Sequence, residues 1–123
     1  MTPETIAAFA QNWIDAWHRR DLEAVLAHFA DDARFTSPRA LATVGTATVV
    51  GKAALRNYWQ AALAGIETLQ FSLDHTVWDP ERQELVLVYT SAIDGRRLRA
   101  CEFMRFGPAG RIVEAEAMYG APL

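Results

Sequence analysis

The chain has 123 residues, of which 51% are hydrophobic and 22% are charged, so it is long enough for one domain with a substantial core. Its net charge of −3, without a basic run, argues against nucleic acid as a partner. No apolar stretch approaches the ~18 residues of a membrane span, and the N-terminus lacks the pattern of a signal peptide. We therefore expect a single domain over residues 1–123, located in the cytoplasm and not in a membrane.

Three helices are predicted in the first half of the chain. Thr2 and Pro3 supply a cap and a first-turn proline, and a 3.6-residue apolar period then predicts a helix over residues 3–19. Asp21 caps a shorter second helix. A third helix is predicted over residues 52–64, where the apolar period returns and a glycine follows.

Strands account for most of the remainder. Residues 33–37 predict a short strand that ends at Pro38, and residues 39–50 predict a loop or a weak edge strand. Four further strands are predicted over residues 69–78, 85–92, 97–106 and 111–119, and Asp94-Gly95 is a strong hairpin signal. Helices followed by antiparallel strands predict an α+β fold, with the helices on one face of a curved sheet.

One carboxylate lies where the alternation of a strand predicts only apolar side chains. In residues 97–106, one face carries Leu98, Ala100, Glu102, Met104 and Phe106, and the other carries Arg97, Arg99, Cys101, Phe103 and Arg105. A carboxylate removed from water is costly unless it is paired, hydrogen-bonded or protonated, and such groups are frequent in functional sites. Two interpretations of Glu102 stay open: it carries chemistry, or it reaches solvent or a buried arginine.

The return strand predicts the surroundings of this acid. If Phe106 faces Arg111 across the turn, then Glu102 faces Ala115 and Leu98 faces Tyr119. Small residues beside the acid would leave a hollow in the core. The other face then brings acidic groups diagonal to basic ones, namely Glu114 and Glu116 to Arg105 and Arg99.

The histidines and the single cysteine offer weaker signals. His75 is in register with Phe71 and Val77, so one interpretation places it inside, as a base that acts with Glu102; the other is a half-buried histidine bonded to backbone. His18 and His28 lie off the apolar stripe and are expected to face solvent. No histidine or cysteine pair has metal-ligand spacing, so we expect no metal and no cofactor.

The order of several short motifs resembles the nuclear transport factor 2-like superfamily. These are residues 20–25 (RDLEAV), 29–33 (FADDA), 51–59 (GKAALRNYW), 106–113 (FGPAGRIV) and 119–120 (YG). The resemblance covers nearly the whole chain. It implies a cone-shaped, cystatin-like fold in which a curved antiparallel sheet wraps around three N-terminal helices and encloses an apolar pocket. It also implies a homodimer that forms through the outer face of the sheet.

Within that superfamily the sequence is most similar to the ketosteroid isomerases and the SnoaL-like polyketide cyclases. The isomerases keep a carboxylic acid neutral as part of an oxyanion hole, and the resemblance implies this role for Glu102. It also implies that Ser37 stands at the position of the general base, Trp13 at that of a helix-one tyrosine, and Tyr58 at that of a supporting tyrosine. Ser37 cannot deprotonate a carbon acid without an activating base, and Trp13 has no acidic hydroxyl. Steroid isomerisation by the known mechanism is therefore not expected.

The residues and the resemblance together predict a protein that binds a small, mostly apolar carbonyl or hydroxyl compound. The predicted catalytic residues are Glu102 and His75, and the predicted ligand-binding residues are Trp13, Trp17, Phe35, Ser37, Tyr58, Ala115 and Tyr119. Isomerase-like and polyketide-cyclase-like chemistry are both open. So are two alternatives without catalysis: a ligand-binding module, and a dimeric interaction protein that works through the outer sheet face around Phe103.

Overall fold

A computed structural model describes residues 1–123 as four helices and six strands. The helices are α1 (Pro3–His18), α2 (Leu22–Leu26), α3 (Pro38–Val44) and α4 (Lys52–Ala64). The strands are β1 (Phe29–Thr36), β2 (Thr48–Val50), β3 (Leu69–Asp79), β4 (Glu84–Ile93), β5 (Arg96–Phe106) and β6 (Ile112–Pro122). The predicted α+β class is confirmed, with one helix more than the three expected.

The additional helix, α3, lies in the segment that was predicted to be a loop or an edge strand. The Ser37 side chain accepts the backbone N–H of Arg39 at 3.2 Å, and Pro38 occupies the first turn. Gly45 ends the helix with a left-handed φ of 81°. Serine before proline is a helix-start signal as well as a strand-end signal, and the sequence prediction used only the second meaning.

The six strands form one sheet in the order β2-β1-β6-β5-β4-β3. All neighbouring pairs are antiparallel except β1 and β6, which are parallel. The hairpin predicted at Asp94-Gly95 is confirmed, and both residues have the positive φ that such two-residue turns require. No helix is of a length and apolarity that would let it cross a membrane.

The register between β5 and β6 differs from the predicted one by two residues. Glu102 faces Ala117 rather than Ala115, and Ala115 faces Met104. One residue of the difference arises at the turn, where Phe106 pairs with Ile112 and not with Arg111, and the second arises at a bulge between Arg105 and Phe106. Since side chains alternate with a period of two, a two-residue shift leaves Glu102 on the interior face that the sequence predicted.

The same shift changes the pairs on the outer face. Glu114 lies directly opposite Arg105, and its carboxylate accepts a hydrogen bond of 2.6 Å from that guanidinium. Glu116 faces Phe103, while Arg99 pairs with Asp74 at 2.8 Å. The expected Arg99–Glu116 pair was therefore wrong.

The interior face of the sheet packs against the helices through one cluster of 25 buried hydrophobic residues. Arg20, just after α1, helps to hold the end of α4 beside this cluster. Its guanidinium donates to the backbone carbonyls of Leu63 at 3.0 Å, Ile66 at 2.8 Å and Glu67 at 3.0 Å. These carbonyls lie in and just after the last turn of α4, where helix carbonyls lack partners within the helix. The contact thus fixes α4 against the end of α1.

Candidate functional site

An interior cavity lies between the sheet and helices α1, α3 and α4. Its volume is about 70 Å³, and 14 of the 17 residues that line it are hydrophobic. The lining residues are Trp13, Trp17, Phe35, Ser37, Arg39, Tyr58, Trp59, Ala62, Leu63, Ile66, Leu69, Phe71, Tyr89, Ile93, Glu102, Ala117 and Tyr119. Such a wall favours an apolar molecule and leaves few groups to orient it.

Glu102 is the only carboxyl group in the wall of the cavity. It lies on β5 between Leu87 of β4 and Ala117 of β6, and only 5% of the residue is exposed. Burial alone raises the pKa of this carboxyl to about 8, with no charge or hydrogen bond of the protein acting against it. Glu102 is therefore mostly uncharged at pH 7, and its O–H is a hydrogen-bond donor.

Three phenols from three different elements share the cavity with this acid. They belong to Tyr58 of α4, Tyr89 of β4 and Tyr119 of β6. Burial raises the pKa of all three, and repulsion from an ionised Glu102 would raise each further. The Ser37 hydroxyl partly offsets this for Tyr58 and Tyr119 by hydrogen bonding. The polar side of the cavity is thus a set of neutral hydroxyl groups around a neutral acid.

One positive charge reaches the cavity from α3. The guanidinium carbon of Arg39 lies 5.5 Å from the centre of the Tyr119 ring, within the range of a cation–π contact. The Arg39 charge lowers the pKa of the Tyr58, Tyr89 and Tyr119 phenols, against the larger effect of burial. The cavity therefore combines a neutral acid with a cation.

Aromatic side chains form the apolar part of the wall. Trp13 is stacked on Phe71 with ring centres 5.8 Å apart, and its other contacts include an edge-on approach to Tyr89 at 5.6 Å. Trp17 meets Trp59 edge-on at 5.4 Å, and its buried indole N–H has no hydrogen-bond partner. Interlocked rings of this kind fix the shape of a cavity, since aromatic pairs have preferred geometries.

The structure brings most of the sequence-predicted site residues to this cavity. Those that line it are Trp13, Trp17, Phe35, Ser37, Tyr58, Glu102 and Tyr119. Ala115 does not line it, because the two-residue shift in register puts Ala117 in the place beside Glu102.

His75 is also absent from the wall of the cavity. A bulge between Leu73 and His75 reverses the direction of the side chains that follow, so that the His75 side chain is 57% exposed. Its Nδ1 lies 3.6 Å from a carboxylate oxygen of Asp74. The interpretation that places His75 inside as a base is therefore wrong, and so is the alternative of a half-buried histidine.

The other two histidines differ in their exposure to solvent. His18 is exposed, as expected, and its Nε2 accepts the backbone N–H of Phe71 at 2.9 Å. His28 is half-buried, with its ring edge-on to Phe9 at 4.8 Å, so the expectation that it faces solvent was wrong. Burial, followed by the nearby charge of Arg111, lowers the pKa of His28.

Two polar residues of the site, Tyr89 and Arg39, were not predicted. The alternation of β4 contained the signal for Tyr89, because it shares the interior face with Leu85, Leu87 and Ile93. Arg39 gave no usable signal, since its direction follows from α3 and the sequence did not predict that helix.

Comparison with known proteins gives concordant matches. The profile of the family described as SnoaL-like domain matches residues 10–115. A SnoaL-like protein of unknown function from Burkholderia thailandensis is 33% identical, with a TM-score of 0.86 over 98% of both chains. A nuclear transport factor 2-like protein of unknown function from Burkholderia pseudomallei is 25% identical, with a TM-score of 0.79 over 97% of this chain and 92% of the other.

A steroid delta-isomerase from Pseudomonas aeruginosa is similar as well. It is 25% identical, with a TM-score of 0.70 over 94% of this chain and 80% of the isomerase. These matches confirm the fold that the motifs predicted and its relation to ketosteroid-isomerase-like proteins. Because one fold hosts many activities, the function has to be argued from the cavity itself.

Proposed function

This chain belongs to the SnoaL-like domain family, and we propose that its interior cavity binds a small, mostly apolar carbonyl or hydroxyl compound on which Glu102 acts as an acid. One observation carries the proposal: a carboxyl group is buried in an apolar cavity with no ion-pair or hydrogen-bond partner to hold its charge. A buried polar group without a partner costs free energy. A ligand oxygen beside Glu102 would remove that cost.

The protonated Glu102 would donate a hydrogen bond to a ligand carbonyl. If the bond order of that carbonyl falls during reaction, negative charge grows on the oxygen and the hydrogen bond strengthens. Because the pKa of Glu102 is about 8, proton transfer in either direction is accessible near neutral pH. This behaviour suits enolisation, isomerisation or ring closure next to a carbonyl.

Steroid isomerisation by the mechanism of the family's isomerases is not part of the proposal. Ser37, at the position of the base, is 1% exposed and its hydroxyl is used as the cap of α3. Trp13, at the position of the helix-one tyrosine, is stacked on Phe71 and meets Trp17 and Tyr89 edge-on. Among the cavity residues, Glu102 is the one group whose pKa lies near neutrality. In enolisation, one oxygen of its carboxyl group would give a proton to the ligand carbonyl while the other oxygen accepts the α-proton, so the carboxyl group ends the step neutral.

The volume of the cavity restricts the ligand. About 70 Å³ is roughly half of an engineered apolar cavity of ~150 Å³ that holds benzene. The enclosed part of a ligand is therefore a small group, and a larger ligand would extend outward past the half-buried Ala62, Ile66 and Leu69. A steroid-sized molecule does not fit inside the cavity as it stands.

A non-catalytic binding module is the second candidate. The observation that favours it is the absence of a second base, since Ser37 is engaged in the helix cap and the phenol pKa values are raised. In that case Glu102 would only orient the ligand through its hydrogen bond.

The test uses small ketones as probes, with cyclopentanone and cyclohexanone as examples. We expect them to raise the Tm of the wild type at pH 7, and NMR in deuterium oxide to show enzyme-dependent exchange of their α-hydrogens. The variant Glu102→Gln should abolish exchange, and its Tm at pH 7 should be higher than that of the wild type, because glutamine does not ionise on unfolding. Stabilisation without exchange would favour the binding module, whereas a panel of ketones that neither binds nor exchanges would refute the proposal.

We also propose a homodimer that forms through the outer face of the sheet. Two large apolar side chains support it, since Val77 of β3 is 54% exposed and Met118 of β6 is 47% exposed. The Arg105–Glu114 pair lies on the same face. Apolar groups beside paired charges are typical of protein interfaces.

A further inference from the structure

We propose that the ligand of this cavity is a small acid with an apolar body, and that Arg39 binds its carboxylate. The inference rests on the proposed function, because it names the class of compound that the same cavity would take. It makes Arg39 a binding residue that selects for charge.

The first argument is that Arg39 has no counter-charge within the protein. Six ion pairs are present in the molecule, and none of them includes Arg39. Its charged group lies instead against the ring of Tyr119. Arg39 is a half-buried residue in a wall where 14 of 17 residues are hydrophobic, so an anionic ligand in the cavity would supply the counter-charge that the protein does not.

The second argument is that Glu102 is not the missing partner. Burial is the only cause of the raised pKa of Glu102, whereas a guanidinium within pairing distance would lower that pKa. The charge of Arg39 instead lowers the pKa of the three phenols. The cavity thus presents a cation and a neutral acid as two separate binding groups. A neutral Glu102 also does not repel an anionic ligand.

The third argument is that α3 places Arg39 at the wall of the cavity, beside Tyr119. Arg39 is the second residue of α3, and its backbone N–H donates to the Ser37 hydroxyl at 3.2 Å. Its guanidinium carbon lies 5.5 Å from the centre of the Tyr119 ring, a distance typical of cation–π contacts. A guanidinium carries five N–H donors, so one held at the wall of the cavity can bind a carboxylate through two parallel hydrogen bonds.

The body of the ligand follows from the remaining wall. Trp13, Phe71 and Phe35 present ring surfaces to the cavity, and these favour an aliphatic or aromatic group. The limited volume favours a compact acid. A neutral compound of the same shape would leave the charge of Arg39 unpaired, so the acid should bind more tightly than its amide.

The experiment compares two acids with their amides, benzoate with benzamide and 3-methylbutanoate with 3-methylbutanamide. Titration calorimetry at pH 6.5 and constant ionic strength gives the four Kd values. For the wild type we expect at least one acid to bind at least about tenfold more tightly than its amide, as for other charge-assisted hydrogen bonds. The variant Arg39→Gln should remove this preference and leave amide binding within about twofold.

Two further variants separate charge from structure. Arg39→Lys keeps the charge but not the paired N–H groups, and we expect it to retain part of the preference. Arg19→Gln removes an exposed arginine at the end of α1 and should leave all four Kd values unchanged. Intact near-ultraviolet circular dichroism of each variant shows that it has folded.

The preference for an acid over its amide decides whether the inference holds. The inference is overturned if neither acid binds to the wild type more tightly than its amide, or if Arg39→Gln keeps the full preference. Amides and ketones that bind as well as the acids would overturn it while leaving the proposed function intact. A failure of every probe would count against both.

Discussion

Replacing Glu102 by glutamine should change how the stability of the protein depends on pH. Burial raises the pKa of this carboxyl from 4.5 to about 8 in the folded state. Between these values the folded state holds a proton that the unfolded chain has released, so the stability of the wild type falls as the pH rises. Glutamine has the same shape and does not ionise, so the stability of Glu102→Gln does not fall in this way as the pH rises.

The size of the pKa shift of Glu102 sets the expected change in unfolding free energy. Each pKa unit corresponds to about 1.4 kcal/mol, so the three pH units between pH 5 and pH 8 set an upper limit of about 4 kcal/mol. Titration is incomplete near pH 8, where the folded-state group is half-ionised, and near pH 5, where some unfolded chains still carry the proton. The expected change is therefore about 3 to 4 kcal/mol.

Urea denaturation at pH 5, 6, 7 and 8 measures this change as the difference in unfolding free energy between the two proteins. We expect the variant to be about as stable as the wild type at pH 5 and clearly more stable at pH 8. Glu81→Gln, at the exposed turn between β3 and β4, serves as the control for the loss of one carboxyl group. A wild-type–variant difference that stays constant across this pH range would refute the argument that Glu102 is held neutral by burial.

Three other substitutions test the surroundings of the site. Arg20→Gln removes three hydrogen bonds to the end of α4 and should lower the unfolding free energy by about 1 to 3 kcal/mol in urea; an unchanged value would contradict the role given to Arg20. Ala117→Leu fills the space beside Glu102, so the Tm increase caused by cyclohexanone should disappear although the variant still folds. Met118→Glu should convert a dimer into a monomer in light scattering, and a wild type that is already monomeric would count against the interface; Val50→Glu, on the edge strand, is its control.

The sequence predicted the direction of the Glu102 side chain more reliably than it predicted which residues lie beside that side chain. Direction depends only on the alternation of β5, and this is insensitive to a two-residue change in register. The partner strand is different, because one bulge near the turn moves every pair. That bulge and a turn one residue longer than predicted together put Ala117 beside the acid, where Ala115 was predicted.

A bulge also explains the wrong orientation of His75. Alternation predicts one face for a whole strand, and the irregularity between Leu73 and His75 reverses it partway along β3. Nothing in the local sequence requires a bulge at that point. The orientation of side chains beyond a bulge was therefore not predictable from periodicity alone.

The position of Arg39 could not be predicted from the sequence for a different reason. Ser37 and Pro38 carry a helix-start signal, but a seven-residue helix has little intrinsic stability and depends on tertiary packing. Since the direction of Arg39 follows from that helix, the cation of the cavity was not predictable once the segment was interpreted as a loop. Its position over Tyr119 also depends on a strand that lies far away in the sequence.

The protonation state of Glu102 can be measured in the folded protein. Carbon-13 NMR of protein labelled at the glutamate side-chain carboxyl groups gives a titration curve for each, and the spectrum of Glu102→Gln identifies the signal of Glu102. We expect this signal to titrate near pH 8 while the protein remains folded. A Glu102 signal that titrates near pH 4.5 would show a charged carboxylate in the cavity at neutral pH and would contradict the proposed chemistry.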